Sequence, residues 1–287
     1  MGRARPRVCY ALNGDSRTMS LRLVAPVVLI CAAAPLSAAP GEALLEAMRV
    51  PEIVQVMREE GLDYAQEMGE DLLPGGATRG WRAVVSQVYD TEAMEEVVRG
   101  QFIDSFAGTE AGPLLDFFTS EDGQRVVDLE ITARRTLIDD DLEASAREAY
   151  QALDGTDDPR LEQIEAFVEA NDLVEANVVG AMNASYQFYL GLVDGGAFEM
   201  TEEEILSEVW AQEEDTRSDT REWLYAFLLV AYRPLSDAVL DEYVALSASP
   251  EGRAMNRALF AGFNAMYDEI SYGLGLAAAQ QMLGEEL

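Results

Sequence analysis

Two stretches decide how this 287-residue chain folds: Phe117-Phe118-Thr119-Ser120-Glu121-Asp122-Gly123-Gln124-Arg125 and, 129 residues further on, Leu246-Ser247-Ala248-Ser249-Pro250-Glu251-Gly252-Arg253. In each, an apolar segment stops at a Ser, an acid stands two residues on, Gly follows, and a long run with helical apolar spacing begins. The causes are local. A Ser hydroxyl can accept from an otherwise unpaired amide of the first turn, Pro250 has the φ of a first helical position, and Asp122 and Glu251 stand near the positive end of the helix dipole. Gly123 and Gly252 weaken a helix relative to Ala, so close approach by the preceding helix is the expected compensation. Ser120 and Ser249 read as equivalent helix caps and not as nucleophiles, because the chain has no His or Lys to activate a hydroxyl.

Outward from these junctions the apolar spacing is helical nearly throughout from residue 42, with few alternating runs rich in β-branched residues. The expectation is an all-α, bundle-like protein of two related multi-helix units. Helical unit 1 covers 39–153 and helical unit 2 covers 160–287, joined by the turn-forming linker 154–159 (Asp154-Gly155-Thr156-Asp157-Asp158-Pro159). In the first unit, breaks are expected at Val50-Pro51 and at Pro74-Gly75-Gly76, followed by a helix over 91–106 and a long one from Ser120 to about Leu153. In the second, helical spacing runs over 161–193 and stops at Gly195-Gly196. Thr201 with Glu204 then forms a capping box, and helices follow over 220–232, 236–246 and 249–282. A constant offset of 129 superposes Trp81 on Trp210, Asp90-Thr91 on Asp219-Thr220, Ser120 on Ser249 and Gly123 on Gly252, which points to an internal duplication.

The run from Phe117 to Arg125 resembles the aromatic-aromatic-x-Ser-Pro-x-Gly-Gln-basic signature of a secreted bacterial family known as domain of unknown function number twenty fifty-nine. Leu246 to Arg253 resembles a second, degenerate copy. The first copy has Glu121 where the family has Pro, and the second keeps Pro250 but has Leu246-Ser247 for the two aromatics. The resemblance implies an all-helical secreted protein and brings no catalytic residues.

Composition narrows the chemistry. Asp and Glu number 53 against 20 basic residues, all of them Arg, for a formal charge of −33. Without His or Lys, imidazole-assisted nucleophiles, Schiff bases and P-loop phosphate binding are excluded. The two Cys, Cys9 and Cys31, stand near the start, so the usual zinc ligand sets are excluded as well. Strong negative charge disfavours nucleic acid and anionic lipid surfaces. The acidic runs Asp139-Asp140-Asp141 with Glu143, and Asp154 with Asp157 and Asp158, lack calcium-loop spacing and read as solvated surface. Trp223 to Tyr232 is apolar on all sides yet too short to span a bilayer, so it reads as a core helix. The apolar C-terminal stretch from Ile270 to Leu283 is expected to dock within the second unit.

Residues 1–38 read as a signal peptide: a basic lead, an apolar run from Leu23 to Ala34 shorter than a spanning helix, and Leu36-Ser37-Ala38 at the cleavage site. Met19 gives a more ordinary start than Met1. The expectations are a periplasmic protein with no cofactor, no metal and no stable membrane insertion after signal removal. It would act as a binding or structural module for an unknown protein or envelope component. The alternative is a carboxylate-dependent, lysozyme-like peptidoglycan hydrolase, although the Glu-Ser dipeptide of such enzymes does not occur. Loss of residues 1–38 removes five Arg and one Asp, moving the formal charge from −33 to −37. Self-repulsion at that charge is screened over ~10 Å at 0.1 M salt. Melting temperature should therefore rise from low to moderate ionic strength, and a flat or falling curve would mean that Arg pairing already compensates the acids.

Overall fold

Helices are the regular elements throughout residues 40–284, the residues described by the computed structural model; residues 1–38, read as a signal peptide, with Met19, Cys9 and Cys31, lie outside them. The first half comprises α1 (Pro40–Ala47), α2 (Val50–Leu72), α3 (Arg79–Val88), α4 (Thr91–Phe106), α5 (Gly112–Phe118), α6 (Glu121–Thr136) and α7 (Asp140–Gln151). The second comprises α8 (Pro159–Asn171), α9 (Leu173–Asp194), α10 (Glu202–Ala211), α11 (Glu213–Tyr232), α12 (Asp237–Ser247) and α13 (Pro250–Met282). The all-α, multi-helix bundle read from the sequence is the fold observed. Three helices are bounded differently from the expectation: 120–153 breaks at 137–139 into α6 and α7, 161–193 breaks at Asp172, and α11 begins at Glu213.

The two halves run through the same series of junctions. Arg49, between α1 and α2, and Asp172, between α8 and α9, are the non-Gly residues with positive φ among those described, at 55° and 52°. Such a conformation is uncommon for a long side chain. Arg49 is held in it by ion pairs to Glu52 and to Asp128 at 3.0 Å. A side-chain amide braces each of these corners from the helix that closes its half. Gln124 Nε2 donates to the Ala47 carbonyl at 2.7 Å, and Asn256 Nδ2 donates to the Asn171 carbonyl at 2.9 Å. Next, Gly75-Gly76-Ala77 and Gly195-Gly196-Ala197 end α2 and α9, and Thr78 and Thr201 cap α3 and α10. The Thr201–Glu204 capping box is complete. Finally, Ser120 Oγ accepts from Gly123 N–H and Ser249 Oγ from Gly252 N–H, both at 3.0 Å. The counterpart of α6 and α7 is the single helix α13.

One register does not run through all of these pairs, which corrects part of the reading from sequence. The offset of 129 holds at Ser120/Ser249 and Gly123/Gly252, whereas Arg49/Asp172 and Thr78/Thr201 are 123 apart. The difference of six arises further along, because α11 and α12 of the second half are each four residues longer than α4 and α5 of the first. Trp81 and Trp210 are therefore not equivalent. Trp81 is fully buried in α3 and donates Nε1–H to the Ala65 carbonyl at 2.7 Å, while Trp210 is 65 % exposed on α10. Likewise Asp90 caps α4 by accepting from Ala93 N–H, but Asp219 lies inside α11 and pairs with Arg147.

Packing is reciprocal. Helix α4 of the first half lies along α13 of the second, and α11 of the second lies along α6 and α7 of the first. Buried apolar residues from α1 to α13 form one continuous cluster. Residues 154–159 make a turn between α7 and α8, both of which contribute to that cluster, so the two units share one core. Leu224, Tyr225, Leu228 and Tyr232 of α11 are buried, as are Ile270, Leu274 and Ala277 of α13, so the apolar C-terminal stretch docks within the fold. Asp139 and Asp158, from the acidic runs, are the N-caps of α7 and α8.

The glycines at the two Ser junctions have a shared cause. A Cβ at Gly123 would overlap the Phe117 carbonyl oxygen, and one at Gly252 would overlap the Leu246 carbonyl oxygen. Backbone cannot yield as a flexible side chain can. Gly123→Ala and Gly252→Ala should each destabilise by ~1–3 kcal/mol despite the better helix propensity of Ala. Ser120→Ala and Ser249→Ala should cost ~0.5–2 kcal/mol, with Asp at either position close to neutral. Denaturant melts of the six variants check this, and equal tolerance of Ala and Asp would remove the capping role.

Candidate functional site

The counterparts α2 and α9 make no extensive contact with each other. Each is held by its own neighbours, α2 on α4 and α6 and α9 on α11 and α13, and the space between them is left open. Small residues on α9 widen it: Gly180, Ala181, Ala184 and Ser185 all line the opening. Three lobes result, of about 480, 450 and 370 Å³. Met57, Ala181, Ala184 and Tyr267 line both the first and the second lobe. Arg134 and Trp223 line the second and third, and Glu60 and Tyr64 the first and third. The lobes are thus parts of one cleft, in the volume range of small-molecule sites.

The lobes differ in chemistry. The second is walled by Leu173, Leu259, Phe260, Phe263 and Trp223, with three amides, Asn177, Asn256 and Asn264, set among them. The third is ringed by Glu60, Asp63, Glu67, Asp140 and Glu143, with Tyr64 and Trp223 beside them. Arg134 stands where the lobes meet. Its Nε and Nη2 both donate to Glu60 at 2.8 Å, and its guanidinium lies 5.9 Å from the Trp223 ring centroid. Trp223 in turn stacks on Phe227 at 5.3 Å with the rings 4° from parallel. This bidentate pair ties α2 to α6 and uses the Arg134 charge within the protein. Of the rim acids, Glu143 is engaged by Arg147 at 2.7 Å. Burial raises the Tyr267 phenol above its ordinary range, with Arg134 pulling the other way, so it remains a neutral donor.

One turn before Arg134, Glu130 faces a smaller space of about 90 Å³ whose lining shares Asn256, Leu259 and Phe263 with the second lobe. Glu130 Oε1 accepts from the Tyr232 hydroxyl at 2.6 Å and from the Tyr243 hydroxyl at 3.3 Å. Burial pushes its carboxyl up to about 7, against the opposing pull of the two phenols. No base answers it there, so it gains from keeping its proton. The space holds about three waters at ~30 Å³ each, and a sugar ring does not fit.

None of the junction and tryptophan residues matched between the halves lines this cleft. Ser120, Gly123, Ser249, Pro250 and Gly252 build the two junctions, Trp81 is core and Trp210 is surface. Three stretches read only as surface or core do reach it: Asp140 and Glu143 of the acidic run stand at the rim, Trp223 lines the second and third lobes, and Ile270 and Leu274 line the first. The signal that sequence reading missed is the stripe Val127, Glu130, Ile131, Arg134 on α6. Two charged residues stand there at core-facing spacing, and charges buried in a helix stripe mark a partner or a site. Among the described residues no group of His, Cys, Asp and Glu is arranged to hold a metal ion, and no helix is long and apolar enough to cross a membrane. Comparison of the chain with protein-family models, curated proteins and solved structures found no match.

The Glu130 geometry has a consequence for stability. An unfolded Glu loses its proton near 4.5, whereas the folded one holds it to about 7. Between those values the folded state binds more protons, so stability falls as pH rises through the window, by up to ~3 kcal/mol in all. With no His in the chain and both Cys ahead of residue 40, Glu130 is placed to dominate titration near neutrality. Melting temperature should drop between about pH 5.5 and about pH 8, and the drop should vanish in Glu130→Gln, which keeps an acceptor for both tyrosines. An equal drop in the variant would remove Glu130 as its source.

Proposed function

We propose that the chain is an exported, periplasmic helical binding module whose ligand occupies the cleft between α2 and α9, and that it is not an enzyme. The observation that carries the reading is the cleft itself: three connected lobes with aromatic walls and a few convergent amides, built on helices of a single core. Support for export is the pattern of residues 21–38, a short apolar run ending in small residues. The resemblance at Phe117–Arg125 to a secreted family points the same way. The hydrolase alternative draws on Glu130, a carboxyl that stays protonated near neutrality, but the space it faces is too small for a saccharide.

The test is made on protein recovered from the cell envelope. N-terminal sequencing should find Ala39 or Pro40 first. Native mass spectrometry should detect a co-purified small molecule on the wild type and none on Ala181→Phe, in which a ring fills the wall shared by two lobes. Incubation with peptidoglycan should release no fragments. An intact Leu21–Ala34 segment would overturn export, a ligand retained equally by Ala181→Phe would overturn the cleft, and fragment release abolished by Glu130→Gln would install the hydrolase.

A further inference from the structure

Resting on the reading of the α2–α9 cleft as a binding site, we infer that its ligand is an amphipathic organic cation, a molecule with an apolar body and a single ammonium-type head.

The apolar body is called for by the second lobe, whose Phe260, Phe263 and Leu259 wall offers a large surface to remove from water. That lobe has no free charge. Its one ionised group, Arg134, already gives two hydrogen bonds to Glu60, so an anionic head arriving there would compete with a bidentate carboxylate in place. The head is selected by the third lobe, where Asp63, Glu67 and Asp140 stand exposed at the mouth, none of them in an ion pair among the described residues. Trp223 belongs to both lobes, but its ring is already engaged by Phe227 and the Arg134 guanidinium, so the acids and not the indole select the head. An apolar wall beside several carboxylates outside any ion pair favours an organic cation over a neutral or anionic molecule. A bare metal ion is a poorer match, since the acids are spread around a mouth and are not gathered into a coordination shell. The field of the whole chain acts in the same sense: at −33 it concentrates cations and repels anions before any contact is made.

Three probes of equal chain length separate the alternatives: n-octylammonium, 1-octanol and n-octanoate, each titrated calorimetrically into the full chain at low and moderate salt. The ammonium should bind at least tenfold tighter than the alcohol and the carboxylate weaker than the alcohol, with the advantage of the ammonium shrinking as salt rises. Asp63→Asn with Glu67→Gln should cut the ammonium-to-alcohol ratio at least threefold and leave alcohol affinity unchanged. Asp104→Asn with Glu110→Gln removes the same charge from another part of the surface and should leave the ratio alone. Ala181→Phe should abolish binding of all three probes. Equal affinities for ammonium and alcohol, tighter binding of octanoate, or an equal response to both charge-removing pairs would overturn the cationic ligand; alcohol binding still lost in Ala181→Phe would then leave the cleft as the site. Binding of every probe unaffected by Ala181→Phe would overturn the cleft and the ligand class together.

Discussion

The structure depends on an exchange of helices between its halves. Each half presents α4 or α11, whose apolar faces its own helices cover only in part, and each finds further cover in the last helical segment of the other half: α13 for α4, and α6 with α7 for α11. Apolar burial is the main favourable term in folding and demands a partner surface. Here a large part of that partner surface lies on the other side of the 154–159 turn. Everything else follows from the exchange. It fuses two related units into one core, and it sets α2 and α9 facing each other across the centre. Because each of these is anchored to its own neighbours, the centre stays open as a cleft.

Helix class and most helix starts were legible in the sequence because their causes are local. A Ser three residues before a Gly, a Thr three before a Glu and a Pro in a first turn act within one turn of chain, and Ser120, Ser249 and Thr201 all cap as their spacing says. The Trp81–Trp210 match misled because a shared residue type was taken for a shared register. The greater lengths of α11 and α12 relative to α4 and α5 shift the frame by six, and only the local devices on each side show where. Pairing of Glu60 with Arg134 could not be read at all, since those residues are 74 apart and meet only through the packing of α2 on α6. What could be read was the misfit of Glu130 and Arg134 on an otherwise apolar stripe.

Charge and packing divide the work in this chain. The described residues include no Cys, so no disulfide restrains the unfolded state, and the net charge opposes compaction. Against both stands a core drawn from every helix but α10. Arg residues sit where they join helices distant in sequence: Arg134 to Glu60, Arg147 to Asp219, Arg160 to Asp237 and Arg217 to Glu175. Exposed pairs of this kind contribute little singly, so their value lies in relieving like-charge repulsion at particular seams.

The exchange of helices also sets the order in which the protein can be made. The partner of α4 is α13, which ends at Met282, so the first half cannot reach its native packing until almost the whole chain has been synthesised. Contacts of such sequence separation raise the entropic barrier and slow folding relative to a bundle whose helices pack with their immediate neighbours. A chain of this topology stays open and threadable for as long as it is attached to the ribosome, and it closes only when its last helix is released.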